Sequence, residues 1–253
     1  MKPSSIKEAI AQSNKPAIVA FLTAGYPSKE TFLDFLVKAS RVVDVIEIGV
    51  PFTDPLADGL TIQKASHQAL ANGVNVKWII SEVGRLNKAI ECPIALMSYL
   101  NPLLAYGFDN LANDAKKAGI TGFIVPDLPV EESEVLGSLL KKNNIDLIQL
   151  VSPATPDKRL RRLCKNSSGF VYAVTKTGVT GGNGGMHENV VEYLKKVKTY
   201  ANAPVCAGFG IRNKDQINEL SPHVDGVILG SALIDAINQN EDVIAFLKSL
   251  KND

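Results

Sequence analysis

The chain has 253 residues, with 27 basic against 26 acidic side chains and a net charge of +1. There is no long basic run to grip nucleic acid or an anionic membrane, and no apolar run approaches the ~20 residues of a membrane span. Hydrophobic residues make up 45%, which excludes a disordered chain and supplies a large core.

Residues 1–13 read as a short polar helix without the apolar stretch of a secretory leader. A strand at 17–23 ends in the turn Thr23 to Pro27, and a helix follows at 29–40. The next strand, 44–49, runs into a loop over 51–59 stiffened by Pro51 and Pro55. A helix at 76–90 precedes the strand 93–98 and a loop at 99–102. The helix 110–118 has Gly119 where a C-cap glycine belongs. Strand 122–125, helix 131–142 and strand 146–151 come next; Pro156 and Asp157 open a helix to residue 165. Strand 169–174 leads into the glycine-rich segment 175–185, then helix 188–200, strand 204–207 and helix 214–220. The last strand, 226–229, is followed by helices at 232–238 and 241–251.

Eight strands alternating with helices, without a break in composition, imply an α/β fold: a single (β/α)8 TIM barrel over residues 1–253. It carries an extra N-terminal helix and a short extra helix after the eighth strand. The alternative is an open doubly wound sheet, which wants a GxGxxG after its first strand; the chain has none there. Cys92, Cys164 and Cys206 are far apart and odd in number, which suits the reducing cytoplasm.

In a barrel, chemistry gathers where strands give way to the following loops. Glu47 interrupts the apolar run 43–50, and strand alternation turns it inward, opposite to Ile46 and Ile48. An ionised group among buried strands is costly unless paired, so Glu47 is either a catalytic acid or base or a structural anchor for a loop. Asp58, in an Asp-Gly pair, is a second catalytic candidate or a turn former. Asp54 reads as a loop or interface residue. The five glycines of 175–185 allow a mobile lid over a ligand, or merely a floppy loop. Gly208 to Ile211 and Gly230-Ser231 end adjacent strands, an anion cradle or tight turn packing. His67, His187 and His223 show no metal-ligand spacing, and no serine sits in a G-x-S-x-G elbow.

The segment Glu47 to Gly59 with Ile62-Gln63, the turn Phe21 to Pro27, and Met97 to Pro102 form one set of motifs. Pro126 to Pro129, Gly178 to Gly181, Gly208 to Ile211 and Gly230 to Ala232 complete it, in order. With these the chain resembles the tryptophan synthase alpha subunit family along its whole length. The resemblance implies a lyase that splits indole-3-glycerol phosphate into indole and glyceraldehyde 3-phosphate by a retro-aldol reaction. It assigns Glu47 as general acid/base and Asp58 as the carboxylate facing the indole nitrogen. Gly181, Gly210, Gly230 and Ser231 would surround the phosphate, while Phe21, Met97, Tyr172 and Phe209 would line the indole pocket. Thr180 would bond Asp58 when the lid closes. The resemblance further implies no cofactor in this chain. Its partner would be a beta subunit carrying pyridoxal phosphate, in an α2β2 heterotetramer, docked on the rim at 51–55 and Asn101-Pro102. The chain departs from the family at Leu60, often proline, and at 182–185, where many relatives carry an arginine. A regulatory, non-catalytic barrel and an unrelated phosphosugar isomerase or aldolase are the competing readings. None of the eight strands carries the lysine a Schiff-base aldolase needs.

Overall fold

A computed structural model describes residues 3–13, 16–175, 188–208 and 210–251. Its eight strands are β1 (Ala17–Thr23), β2 (Val45–Gly49), β3 (Ile94–Met97), β4 (Ile120–Ile124), β5 (Asp146–Val151), β6 (Val171–Val174), β7 (Val205–Gly208) and β8 (Gly226–Leu229). Each pairs in parallel with the next, and β8 returns to β1. This closure excludes the open-sheet alternative.

The helices of the described residues are α1 (Ile6–Gln12), α2 (Lys29–Ala39), α3 (Leu60–Ala71), α4 (Val76–Leu86), α5 (Leu100–Tyr106) and α6 (Phe108–Ala118), followed by α7 (Glu134–Lys142), α8 (Asp157–Asn166), α9 (Glu188–Tyr200), α10 (Lys214–Leu220), α11 (Ser231–Asn238) and α12 (Val243–Leu250).

Strand alternation divides the apolar residues into two bodies. Ile18, Ala20 and Leu22 of β1, with Ile46 and Ile48 of β2, pack in the shell beneath the helices. Val19, Phe21, Val45, Ala95, Met97 and Ile124 fill the lumen. Side chains of period two on a sheet covered by helices outside and filled inside require this arrangement.

Three expectations need correction. The N-terminal helix α1 is not polar all round: Ile6, Ala9 and Ile10, at i, i+3 and i+4, are buried among lumen residues. It closes the barrel at the end where the strands begin. Gly122 of β4 lets it in, since a Cβ there would lie 2.6 Å from Ile6 Cδ1.

Second, the segment from Leu100 through Asn101 and Pro102 is the first turn of α5, not a proline loop. Pro102 is tolerated there because a first turn has no use for its missing amide proton. The turn is fixed from outside: Leu100 N donates to Asp127 Oδ1 at 2.8 Å. Third, α3 follows the acidic loop directly and was not expected. It buries Ala65, Ser66 and Ala69, residues too small to mark an apolar stripe in the sequence. By contrast Gly119 does cap α6 in the left-handed region, at φ 83°, and Asp157 does open α8 after Pro156.

Candidate active site

Glu47 sits in the middle of β2 with Phe21 of β1 and Ala95 of β3 as its Cα neighbours. Parity sends its side chain into the lumen, where it is 0% exposed and neither carboxyl oxygen has a hydrogen-bond partner among the described residues. Burial pushes its pKa up to about 8, and the neighbouring Asp58 adds to the rise. A carboxyl group left unpaired in a core is expensive and calls for a reason. Neutrality near pH 7 lowers that cost, and a proton so held is available for transfer.

Asp58 reaches the same space from the loop that leads into α3. Its backbone is clamped on both sides: Asp58 N donates to Pro55 O at 3.1 Å, and Gln63 Nε2 donates to Asp58 O at 2.9 Å. Tyr99, just past β3, donates its hydroxyl proton to Asp58 Oδ2 at 3.2 Å. Burial raises the Asp58 pKa to about 6, and the Tyr99 hydrogen bond opposes that rise. The two carboxyls therefore differ: near neutrality Glu47 holds its proton while Asp58 is mostly ionised. Such a separation is how one site keeps both an acid and a charged stabiliser.

Both carboxyls open into a cavity of about 60 Å3 at the C-terminal ends of the strands. Phe21, Met97 and Tyr172 supply its aromatic and apolar walls, and Gly210, Gly230 and Ser231 line it as well. Two glycines make the space. A Cβ on Gly49 would lie 2.4 Å from Phe21 Cζ, and one on Gly208 would lie 2.7 Å from the Tyr172 hydroxyl. Gly210 is left-handed, at φ 85°. Gly230 caps α11, whose first turn takes no side-chain hydrogen bond at its cap. Free amides at a helix start attract anions.

Eight of the residues singled out in the sequence thus share one cavity: Phe21, Glu47, Asp58, Met97, Tyr172, Gly210, Gly230 and Ser231. Thr180, Gly181 and Phe209 lie outside the described residues. Asp54 is exposed in the loop, bonded by Thr53 Oγ1. Three contributors were not singled out. Ile62 and Ile228 line the cavity. Ile62 stood in a quoted motif, and the inward parity of β8 marks Ile228. Tyr99 bonds Asp58 across 41 residues, and no local pattern announces that. No cluster of His, Cys, Asp or Glu among the described residues is arranged to hold a metal ion. A larger cavity of about 230 Å3 lies beside Asp127, Gln149 and Arg159, away from the carboxyl pair.

A closed parallel barrel with two buried carboxyl groups facing one cavity at its mouth has the layout of a (β/α)8 enzyme. Comparison with known proteins gives the particular family. The model of the tryptophan synthase alpha chain matches residues 8–251, and the chain belongs to that family of tryptophan-biosynthesis enzymes. It is 41% identical over 247 residues to the tryptophan synthase alpha chain of Petrotoga mobilis, covering 94% of this chain and 96% of the relative. It is 39% identical over 252 residues to that of Desulfovibrio desulfuricans, covering 97% and 99%. Among solved structures it is similar to Mycobacterium tuberculosis tryptophan synthase in an aminoacrylate-bound form. There the TM-score is 0.87 and the identity 30%, covering 97% of each chain. The tryptophan synthase complex from Pyrococcus furiosus matches with a TM-score of 0.83 and 31% identity, covering 93% of this chain and 98% of that one.

Proposed function

We propose that the chain cleaves indole-3-glycerol phosphate to indole and glyceraldehyde 3-phosphate, with Glu47 as acid and base and Asp58 as electrostatic partner. The observation that carries this reading is the Glu47 carboxyl group, fully buried without a hydrogen-bond partner among the described residues and facing a cavity it shares with Asp58. A purely structural carboxylate would be hydrogen-bonded.

The indole ring lies between Phe21, Met97 and Tyr172, with its nitrogen towards Asp58. The cavity takes only part of such a ligand, so the glycerol phosphate extends towards Gly210, Gly230, Ser231 and the start of α11. Gly181, Thr180 and Phe209 complete the enclosure in this reading, as the family resemblance implies. Protonated Glu47 delivers its proton to indole C3, and positive charge develops at the ring nitrogen, which ionised Asp58 stabilises. The bond between C3 and the carbinol carbon then breaks. Its electron pair restores the aromatic ring, the carbinol becomes the aldehyde, and its hydroxyl proton returns to Glu47. One proton leaves Glu47 and one comes back, so the enzyme ends as it began. Anchoring the remote phosphate holds the reacting atoms in register.

The partner in this reading is a beta subunit, in an α2β2 assembly, which receives the indole and holds the pyridoxal phosphate. Support comes from exposed apolar side chains around the acidic loop and α5: Leu56 is 90% exposed, Leu60 69% and Leu104 51%. Single exposed leucines are ordinary; these three stand on the segments where this reading places the partner.

The test is incubation with indole-3-glycerol phosphate, alone and with beta subunit, while indole is measured. Indole release by the chain is expected, and a Glu47→Gln variant should lose at least ~10²-fold in kcat. A variant with undiminished turnover would remove Glu47 from the mechanism. A wild-type chain that binds the ester yet releases no indole in either condition would favour the regulatory reading.

A further inference from the structure

We propose that Tyr99 is the positioning residue for Asp58, its hydroxyl fixing both the carboxylate and the loop that carries it. The proposal rests on the lyase reading for its consequence in catalysis, but not for the contact itself.

Tyr99 stands two residues beyond β3, at the N-cap of α5, and is buried. Its hydroxyl does two things at once. It accepts from Ala57 N at 2.8 Å and donates to Asp58 Oδ2 at 3.2 Å. Accepting the amide leaves the phenolic proton free, and consecutive hydrogen bonds of this kind reinforce one another. Two adjacent residues of the acidic loop are thus tied to a single atom on the barrel.

That tie adds to the two backbone hydrogen bonds of Asp58, and it is the one that reaches its carboxylate. Thr53, Asp54, Leu56 and Ala57 are exposed, while Pro51, Pro55 and Asp58 are buried and Phe52 is half-buried. Tyr99 itself is held from two sides. Its ring stacks on Phe52, with centroids 5.2 Å apart and planes at 27°. Its backbone leads into the α5 turn bonded by Asp127. A rigid phenol therefore sets where the Asp58 charge points, and misplacement of a catalytic group by an ångström is costly.

The surroundings of Asp58 give the hydroxyl a second task. The ionisable groups acting with it are Glu47 from β2, Tyr172 from β6 and Tyr99, with Asp127 behind Tyr99. None of these is a cation. Among the described residues, Tyr99 is the group that favours the ionised form of Asp58, against burial. Losing the hydroxyl therefore shifts Asp58 towards its protonated form, which cannot stabilise a positive ring.

The experiment compares wild type with Tyr99→Phe, which keeps the ring on Phe52 and removes only the oxygen. The Asp58 carboxyl is followed by ¹³C NMR across pH, its signal assigned by its absence from Asp58→Asn. Its midpoint is expected to rise by about one unit in Tyr99→Phe. The acid limb of kcat/KM for indole release should rise with it, and kcat should fall about tenfold. Glycerol 3-phosphate affinity should stay within about twofold, because the anion cradle is elsewhere. An unchanged Asp58 midpoint overturns the proposal, even if the variant melts at a lower temperature. Should wild type release no indole, the lyase reading falls, while the carboxyl titration still decides the role of Tyr99.

Discussion

In the proposed reading Glu47 is a functional residue that works against the fold holding it. Burial lifts its pKa from 4.5 to about 8, so the folded protein favours the protonated form more than the unfolded chain does. Its cost to stability is absent below the unfolded value, grows as pH rises between the two, and is complete above about 8. At about 1.4 kcal/mol per unit, the full effect is on the order of a few kcal/mol. Glu47→Gln cannot ionise. Its melting temperature should exceed that of wild type by several degrees at pH 9 and converge with it near pH 5, as calorimetry across that range would show. Stability gained where activity is lost is the expected exchange at an active site. The same pair shapes turnover. The coupled groups titrate near 6 and 8, so kcat/KM should be bell-shaped, falling on the alkaline side as Glu47 ionises. The acid limb also contains the second ionisation of the substrate phosphate, near ~6, so the alkaline limb is the one to assign. A pH–rate profile flat to pH 9.5 would deny Glu47 the role of acid. The inward direction of Glu47 was legible from parity alone, because Ile46 and Ile48 claim the other face. The hold of Tyr99 on Asp58 was not, since a hydroxyl reaching across 41 residues leaves no trace in local spacing.

At the scale of elements, strands were easier to read than the helices between them. A strand buried on both faces is largely apolar, and β8 coincides with the run Gly-Val-Ile-Leu. The start of β4 was misplaced by two residues, because the left-handed Gly119 delivers the chain to Ile120 at once. Helices α3 and α5 were missed for opposite reasons. The buried face of α3 is built from Ala65, Ser66 and Ala69, and α5 contains a proline that reads as a breaker. Their placement matters: α3 begins two residues after Asp58 and α5 begins one residue after Tyr99. The strand ends carry an equally local device in Gly49. It pairs with Thr23 on β1 and Met97 on β3, and it yields the space occupied by the Phe21 ring. Gly49→Ala would put a methyl group 2.4 Å from that ring, so the ring must swing into the cavity. We expect KM for indole-3-glycerol phosphate to rise about tenfold, a loss of about 1.4 kcal/mol of ligand binding. Far-ultraviolet circular dichroism should remain that of wild type. A KM equal to wild type would mean that Phe21 does not bound the indole site.

On the scale of the whole molecule, the barrel separates holding together from doing chemistry. The lumen cluster runs from α1 at one end, through Val19, Val45 and Ile148, to Phe21, Met97 and Tyr172 at the other. Glu47 and Asp58 lie at the latter end, among the residues that line the cavity. Conservative damage at the α1 end should therefore cost stability and spare the reaction, as expected of the two faces of such a barrel. Ile10 is 1% exposed on α1, and truncating a side chain so buried costs roughly 2–5 kcal/mol, including the void left behind. Ile10→Ala should accordingly lower the denaturant midpoint substantially, while kcat/KM at 25 °C stays within about twofold of wild type. Glu47→Gln should do the reverse at pH 8 to 9, raising stability while abolishing turnover. Unfolding curves and indole release measured on both variants decide the matter together. If Ile10→Ala lost activity in proportion to stability, the two ends would be mechanically coupled through the lumen. The filling of the barrel would then serve the site as well as the fold.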